Sequence, residues 1–169
     1  MPIPPRTVTP SLLQVDAILK RLSGSAAVEE VLRFLRSEHP HLAWIGVYRV
    51  DGPDLRLDAW QGDRPTEHTT IPIDRGLCGR AVRDNATVLV ADVAAEPEYL
   101  ACFLETRSEL IVPIRRDGRP IGEIDVDGTT LGAFDRTDAA FLERVAEKLA
   151  PVVGASGAGA GAPSSPPPP

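Results

Sequence analysis

Residues 109–127 read Glu-Leu-Ile-Val-Pro-Ile-Arg-Arg-Asp-Gly-Arg-Pro-Ile-Gly-Glu-Ile-Asp-Val-Asp. Alternation on both sides of Asp117-Gly118 marks a hairpin of two strands, Glu109 to Arg115 and Arg119 to Asp127. A side-chain period of two sends Glu123, Asp125 and Asp127 to one face, about 7 Å apart at each step, and Gly122, Ile124 and Val126 to the other. A two-residue loop would set Leu110 beside Asp125, apolar against acid. A three-residue loop, Arg116-Asp117-Gly118 with a left-handed glycine, shifts the register by one and collects Leu110, Val112 and Ile114 with Ile124 and Val126. Because a one-residue slip turns the core inside out, the second register is expected. It places Glu109 opposite Asp125, with Asp127 diagonal, so three acids converge. Like charges in that position are tolerable on a solvated face; under a covering loop they require a proton or a cation.

Outward from the hairpin, the period switches between helix and strand. Leu12, Val15, Leu19 and Leu22 form a helical stripe behind Pro10-Ser11, and Val28, Val31, Leu32 and Leu35 form another after Ser25. Leu42 to Val50 and Leu55 to Trp60 read as strands around Asp51-Gly52-Pro53, with Trp44, Gly46 and Tyr48 on one face. A loop over residues 62–70 leads to a short strand at 71–73, a short helix at Gly76–Val82, a strand at Thr87–Val90 and a polar loop carrying Cys102. A last helix is expected from about Arg136 to Ala150, capped by Asp135 or Thr137 and stopped by Pro151. Hairpins in the middle and helices at both ends indicate an α+β fold, an antiparallel sheet with helices packed on one face. The organisation expected is a flexible Pro-rich lead over 1–8, one domain over 9–153, and a disordered Gly/Ala/Pro tail over 154–169.

The chain has 169 residues, 43% apolar and 25% charged, which suits one globular domain. Its net charge of −6, with acids and bases interspersed, argues against a nucleic-acid surface. No run approaches a membrane span, and the N-terminus has no signal-peptide core, so a cytoplasmic protein is expected. Two cysteines in such a chain could be inert core thiols, a redox pair or half of a metal site. His39, His41 and His68 do not stand at zinc-ligand spacing to Cys78 or Cys102, so no metal is expected. Cys78 near a helix start is weakly favoured as thiolate, yet equally reads as a buried small hydrophobe. Cys102 is different. Its loop runs straight into Ser108-Glu109 and delivers a thiol to the rim of the acids, the pair of groups needed to attack a sulfoxide sulfur and protonate its oxygen. Read alone, Trp44 and Tyr48 are ordinary core aromatics, Trp60 is packing, and His68 is a surface loop residue.

The sequence resembles the free methionine-R-sulfoxide reductases, which are stand-alone GAF domains. The resemblance runs from about Leu42 to Leu149 and is carried by Ile71-Pro72-Ile73-Asp74-Arg75-Gly76-Leu77-Cys78-Gly79, by Ser108-Glu109-Leu110-Ile111-Val112-Pro113, and by Ile121-Gly122 with Asp125-Val126-Asp127. Cys102 stands 24 positions after Cys78, the family's spacing. The resemblance implies that Cys102 attacks the sulfoxide and becomes a sulfenic acid, and that Cys78 condenses with it to a disulfide that thioredoxin reduces. It implies that Glu109, Asp125 and Asp127 hold the ammonium and sulfoxide oxygen, one giving the proton, and that Trp44 and Tyr48 line the pocket around the S-methyl group. No cofactor is implied. Two positions depart from the family: His68 replaces a third cysteine, leaving resolution to Cys78 or an outside thiol, and Phe103 replaces an acid after the catalytic cysteine. The rival reading is a non-catalytic GAF module for ligand binding or dimerisation; the flanks offer no output segment, which favours a self-contained enzyme. The flanking helices are compatible with a homodimer.

Overall fold

In the computed structural model, which describes residues 1–154, the hairpin becomes two strands, Ser108–Arg116 and Arg119–Gly128. Its turn has two residues, not three: Arg116 pairs with Arg119, and Asp117 and Gly118 take φ of 52° and 75°. An Asp-Gly pair suits that doubly left-handed turn, whose twist matches the flanking strands. Parity is restored by a bulge. Arg115 pairs with Pro120 and Ile114 with Gly122, leaving Ile121 as the extra residue. Leu110 therefore meets Val126, and Val112 meets Ile124, as the buried face requires. The expected pairing of Glu109 with Asp125 is corrected by two residues: Glu109 faces Asp127, and Asp125 faces Ile111. A lengthened turn would shift the register one way; the bulge shifts it the other, with the same faces but different partners.

In chain order the strands are β1 (Trp44–Asp51), β2 (Asp54–Gln61), β3 (Thr70–Pro72), β4 (Val88–Val90), β5 (Ser108–Arg116) and β6 (Arg119–Gly128). They form one antiparallel sheet in the order β3-β2-β1-β6-β5-β4. The helices are α1 (Pro5–Arg21), α2 (Gly24–Glu38), α3 (Gly76–Asp84) and α4 (Arg136–Gly154). The edge strands β3 and β4 have three residues each. Pro72 ends β3, and Pro113 lies in β5 beyond the Glu109–Ile111 stretch that β4 covers. No helix among the described residues is long and apolar enough to cross a membrane.

The two faces of the sheet have different coverings. On one, Ile45, Val47, Leu110, Val112, Ile124 and Val126 pack against apolar stripes of α1, α2 and α4, in a single buried cluster. On the other, Trp44, Tyr48, Leu55, Ile71 and Ile111 pack with Leu77 and Cys78 of α3. The face that carries the acids thus lies under α3 and the loops around it.

Two boundaries differ from the pattern in the sequence. α1 starts at Pro5, because a proline at the first helical position forfeits no hydrogen bond, and Pro10 falls inside it. The lead over residues 1–8 is therefore partly helical, and Ile3, 1% exposed, donates its N–H to Asp138 Oδ1 at 2.9 Å. α4 continues past Pro151 for a further turn, with Val153 buried and its carbonyl accepting from Arg49. The tail expected over 154–169 lies, from residue 155 on, outside the described residues.

Asp138 joins these ends. Asp135 Oδ1 accepts from the N–H groups of Thr137 and Asp138 at 2.7 and 3.1 Å, and Asp138 Oδ2 accepts from Asp135 N–H at 2.9 Å, a reciprocal cap of α4. His41 Nε2 lies 3.1 Å from Asp138 Oδ1. Burial pushes this carboxyl's pKa up, but the bonds from His41, Asp135 and Ile3 outweigh it and hold the group below its ordinary value. Asp138→Ala removes the acceptor for all three and is expected to cost about 3 kcal/mol, read as a lower urea midpoint at unchanged slope.

Candidate active site

Strand register assembles the acids. Across β1 and β6, Trp44 faces Asp127, Gly46 faces Asp125 and Tyr48 faces Glu123; across β5 and β6, Glu109 faces Asp127. The four carboxyl residues are 3% (Glu109), 0% (Glu123), 0% (Asp125) and 3% (Asp127) exposed, so the solvated-face reading fails. Thr106 donates to Asp127 Oδ1 at 2.9 Å. With every acid ionised, both oxygens of Glu123 and of Asp125, Oε2 of Glu109 and Oδ2 of Asp127 have no donor among the described residues. Burial first, and mutual repulsion second, drive Glu109 and Asp127 well above the usual carboxylate range; Glu123 rises for the same reasons. Burial also raises Asp125, but the neighbouring Glu109 carboxyl and Cys78 thiol pull it back to about 6. Asp125 is the acid most readily ionised, beside a protonated Glu109. Glu123 shares the face expected from the alternation, but no site role follows from the sequence pattern alone; the signal was its period-two relation to Asp125.

The thiols lie against this cluster. Cys78, in the first turn of α3, is buried, and its Sγ lies within 4.8 Å of carboxylate oxygens of both Glu109 and Asp125. Histidine spacing pointed away from metal ligation, whereas this thiol and two acids meet only through the fold. The weak expectation of a thiolate at a helix start is overturned: burial, then Asp125, Glu123 and Glu109, push the Cys78 thiol up. Cys102 is half-buried in the loop before β5, with its Sγ 3.8 Å from the Leu100 carbonyl. Burial and the fields of Asp125, Asp127 and Glu109 raise its pKa, while Thr66 pulls it back. Cys102 is therefore electrostatically linked to all three acids named from the sequence. Both cysteines are free of disulfide, and the raised pKa of each favours the thiol over the thiolate.

Two loops roof the acids. The Tyr48 hydroxyl donates to the His68 carbonyl at 2.7 Å, and His68 Nε2 lies 3.1 Å from the Ala101 carbonyl. His68 is thus a clasp between the loops rather than a free surface residue. Arg64 pairs with Glu105 and sits 5.4 Å over the Phe103 ring. Beneath them the Trp44 indole stacks on Trp60 at 6.3 Å and meets Phe103 at 5.7 Å. A Cβ on Gly46 or Gly62 would approach that indole to 2.4 or 2.2 Å, so these two glycines form the slot it occupies. A cavity of about 330 Å³ results, walled by Trp44, Phe103, Arg64, Thr106 and Asp127 among others. Tyr48 does not line it: the side chain is wholly buried and its hydroxyl is committed to the loop. Cys102 opens onto an adjoining depression of about 350 Å³ that shares Phe103 and Arg64 with the cavity. Phe103, Arg64 and Thr106 carry no pattern that marks them in the sequence.

The GAF domain family matches residues 24–153. GAF domain-containing protein A of Dictyostelium discoideum is 34% identical over 82% of this chain and 87% of its own length. The solved type II free methionine-R-sulfoxide reductase of Thermoplasma acidophilum is 38% identical, with a TM-score of 0.76 over 78% of this chain and 92% of that one. The free methionine-R-sulfoxide reductase of Neisseria meningitidis, solved in complex with its substrate, is 35% identical, with a TM-score of 0.82 over 88% and 89%.

The raised acids fix the sign of a pH dependence. A carboxyl whose folded pKa lies above its unfolded value, about 4, contributes stability below that value and loses it as pH rises through the folded pKa. With chelator present, the melting temperature is expected to fall between pH 5 and pH 8, starting with Asp125 at about 6. Asp125→Asn should flatten the early part of that fall. Thermal melts at constant ionic strength measure it, and a melting temperature that climbs over this range would contradict the assignment. Asp138, depressed rather than raised, acts only at the acid end, where its contribution is lost as pH falls.

Proposed function

We infer that this chain, which belongs to the GAF family and to the branch of it that includes the free methionine-R-sulfoxide reductases, reduces free L-methionine-R-sulfoxide to methionine. The observation that carries the inference is a set of buried, under-bonded acids beneath a cavity that shares Phe103 and Arg64 with the depression onto which the Cys102 thiol opens.

The acid cluster supports a role for the substrate's own charge. A free amino acid brings an ammonium group, and the cluster lacks a cation. An ammonium beside Asp125 and Asp127 offsets the repulsion that holds Cys102 neutral, so binding lowers the thiol's pKa at the moment a nucleophile is needed. The Cys102 thiolate attacks the sulfoxide sulfur, and a protonated carboxyl, Glu109 or Asp127, delivers a proton to the oxygen. Oxygen passes from substrate to Cys102, giving a sulfenic acid and methionine. The Cys78 thiol then attacks the Cys102 sulfur, releasing water and forming a disulfide. Thioredoxin dithiol returns both cysteines to thiols and leaves as its disulfide, so two electrons balance the cycle. The indole of Trp44, backed by Trp60, gives a polarisable wall for the S-methyl group.

Cys102→Ser is expected to abolish even a single turnover with free methionine-R-sulfoxide. Cys78→Ser should keep the first turnover and slow thioredoxin-driven cycling more than dithiothreitol-driven cycling. Asp125→Asn should lower kcat/KM by about 10²-fold or more. Peptide-bound methionine sulfoxide, whose amide carries no charge, should be a poor substrate. Rapid-quench and steady-state assays read all four. Tight binding of free methionine sulfoxide with no turnover by the unmodified protein would replace the enzyme by a ligand-binding module.

A further inference from the structure

One thiol and two carboxylates meet in the floor of the site in a way that proton transfer does not require. Cys78 Sγ, one oxygen of Glu109 and one of Asp125 all lie within 4.8 Å of one another, each on a buried side chain. Both Asp125 oxygens and Glu109 Oε2 are buried with no hydrogen-bond partner among the described residues. The three donors come from separate elements, α3, β5 and β6, so the fold alone brings them together.

The donor types select the ion. Magnesium and calcium take oxygen ligands and leave thiolates alone. Zinc takes both, at about 2.3 Å to sulfur and about 2.0–2.2 Å to carboxylate oxygen. Ligand atoms around a tetrahedral zinc therefore stand about 3.5 Å apart, and 4.8 Å closes to that by side-chain rotation. Asp127 lines the cavity and faces Glu109 across the hairpin, which puts the buried donors beneath that lining. Three anionic ligands more than balance the ion's charge and leave a fourth position for water.

We propose that Cys78, Glu109 and Asp125 form a zinc site at the base of the cavity, in which the ion takes the place of the substrate's ammonium. The clause on the ammonium rests on the reductase reading; the site itself does not. Zinc binding exchanges the protons of the thiol and carboxyl for the metal, with no change in oxidation state. A bound ion occupies Cys78 and Asp125 together and blocks both substrate capture and resolution, so zinc is a reversible, substrate-competitive inhibitor.

The test is zinc titration of the full, fully reduced chain against a chromogenic chelator. Wild type and Cys102→Ser should bind one equivalent with equal affinity. Cys78→Ser and, separately, Asp125→Asn should bind about 100-fold more weakly or worse, beyond what loss of a merely supporting residue costs. Cadmium added to unmodified protein should give a sulfur-to-metal charge-transfer band that persists in Cys102→Ser, a readout that needs no Cys78 variant to fold. Equal zinc affinity in Cys78→Ser, or a cadmium band lost with Cys102, overturns the site. Free methionine sulfoxide should weaken zinc binding in proportion to its concentration. Cys78-dependent zinc binding that ignores methionine sulfoxide upholds the metal site and counts instead against the ammonium's place among the acids.

Discussion

Four carboxyl groups on one face of one hairpin, closed off from water, cannot all be charged at once. Each has an oxygen with no donor among the described residues, burial raises all four, and Asp125 raises the other three further. The same field reaches Cys78 and Cys102 and keeps both thiols protonated. A site built this way is incomplete without a cation. On the reading proposed above, that single shortage would account for a preference for a substrate bearing an ammonium, for a nucleophile that stays quiet until such a substrate arrives, and for the proposed place of a divalent ion.

The sheet separates this cost from the structure that bears it. One face packs against α1, α2 and α4 in an apolar core beside which the buried polar residues Ser11, His39 and Asp138 all have hydrogen-bond partners. Asp138 secures the same layer by tying the N-terminal segment, His41 and the start of α4 to one carboxylate. Its ionised form stabilises the fold, whereas ionisation of Asp125 destabilises it. Two buried aspartates thus respond to pH with opposite signs because hydrogen bonds outweigh burial at Asp138 and burial outweighs its neighbours at Asp125.

Much of this was legible in the sequence, and the reason is parity. A period of two leaves only two choices for each strand, and the apolar set Leu110, Val112, Ile124 and Val126 decides between them, so the convergence of Glu109, Asp125 and Asp127 followed. The exact partners did not follow, because the bulge at Ile121 is set by closing a two-residue Asp-Gly turn onto an already fixed apolar face. No local composition announces it. The spacing of Cys102 from Cys78 and the run of Cys102 into Glu109 foretold a thiol near the acids. The roof was illegible: Arg64, His68 and Phe103 belong to loops whose meeting depends on the whole sheet. Pro151 misled for a related reason, since tertiary contacts of Val153 hold a helical turn that proline alone would end.

The margins of the sheet carry their own consequence. Each edge strand is three residues long, Pro72 closes one, and on the other side Pro113 removes a donor where β4 no longer covers β5. Arg115 reaches from that open stretch to Asn85, which ends α3, with bonds of 2.7 and 2.9 Å. Short, proline-interrupted margins offer a second chain no ladder of main-chain groups to continue. Among the described residues, the sheet therefore resists self-association by strand addition, the route by which antiparallel proteins most readily run on into fibres.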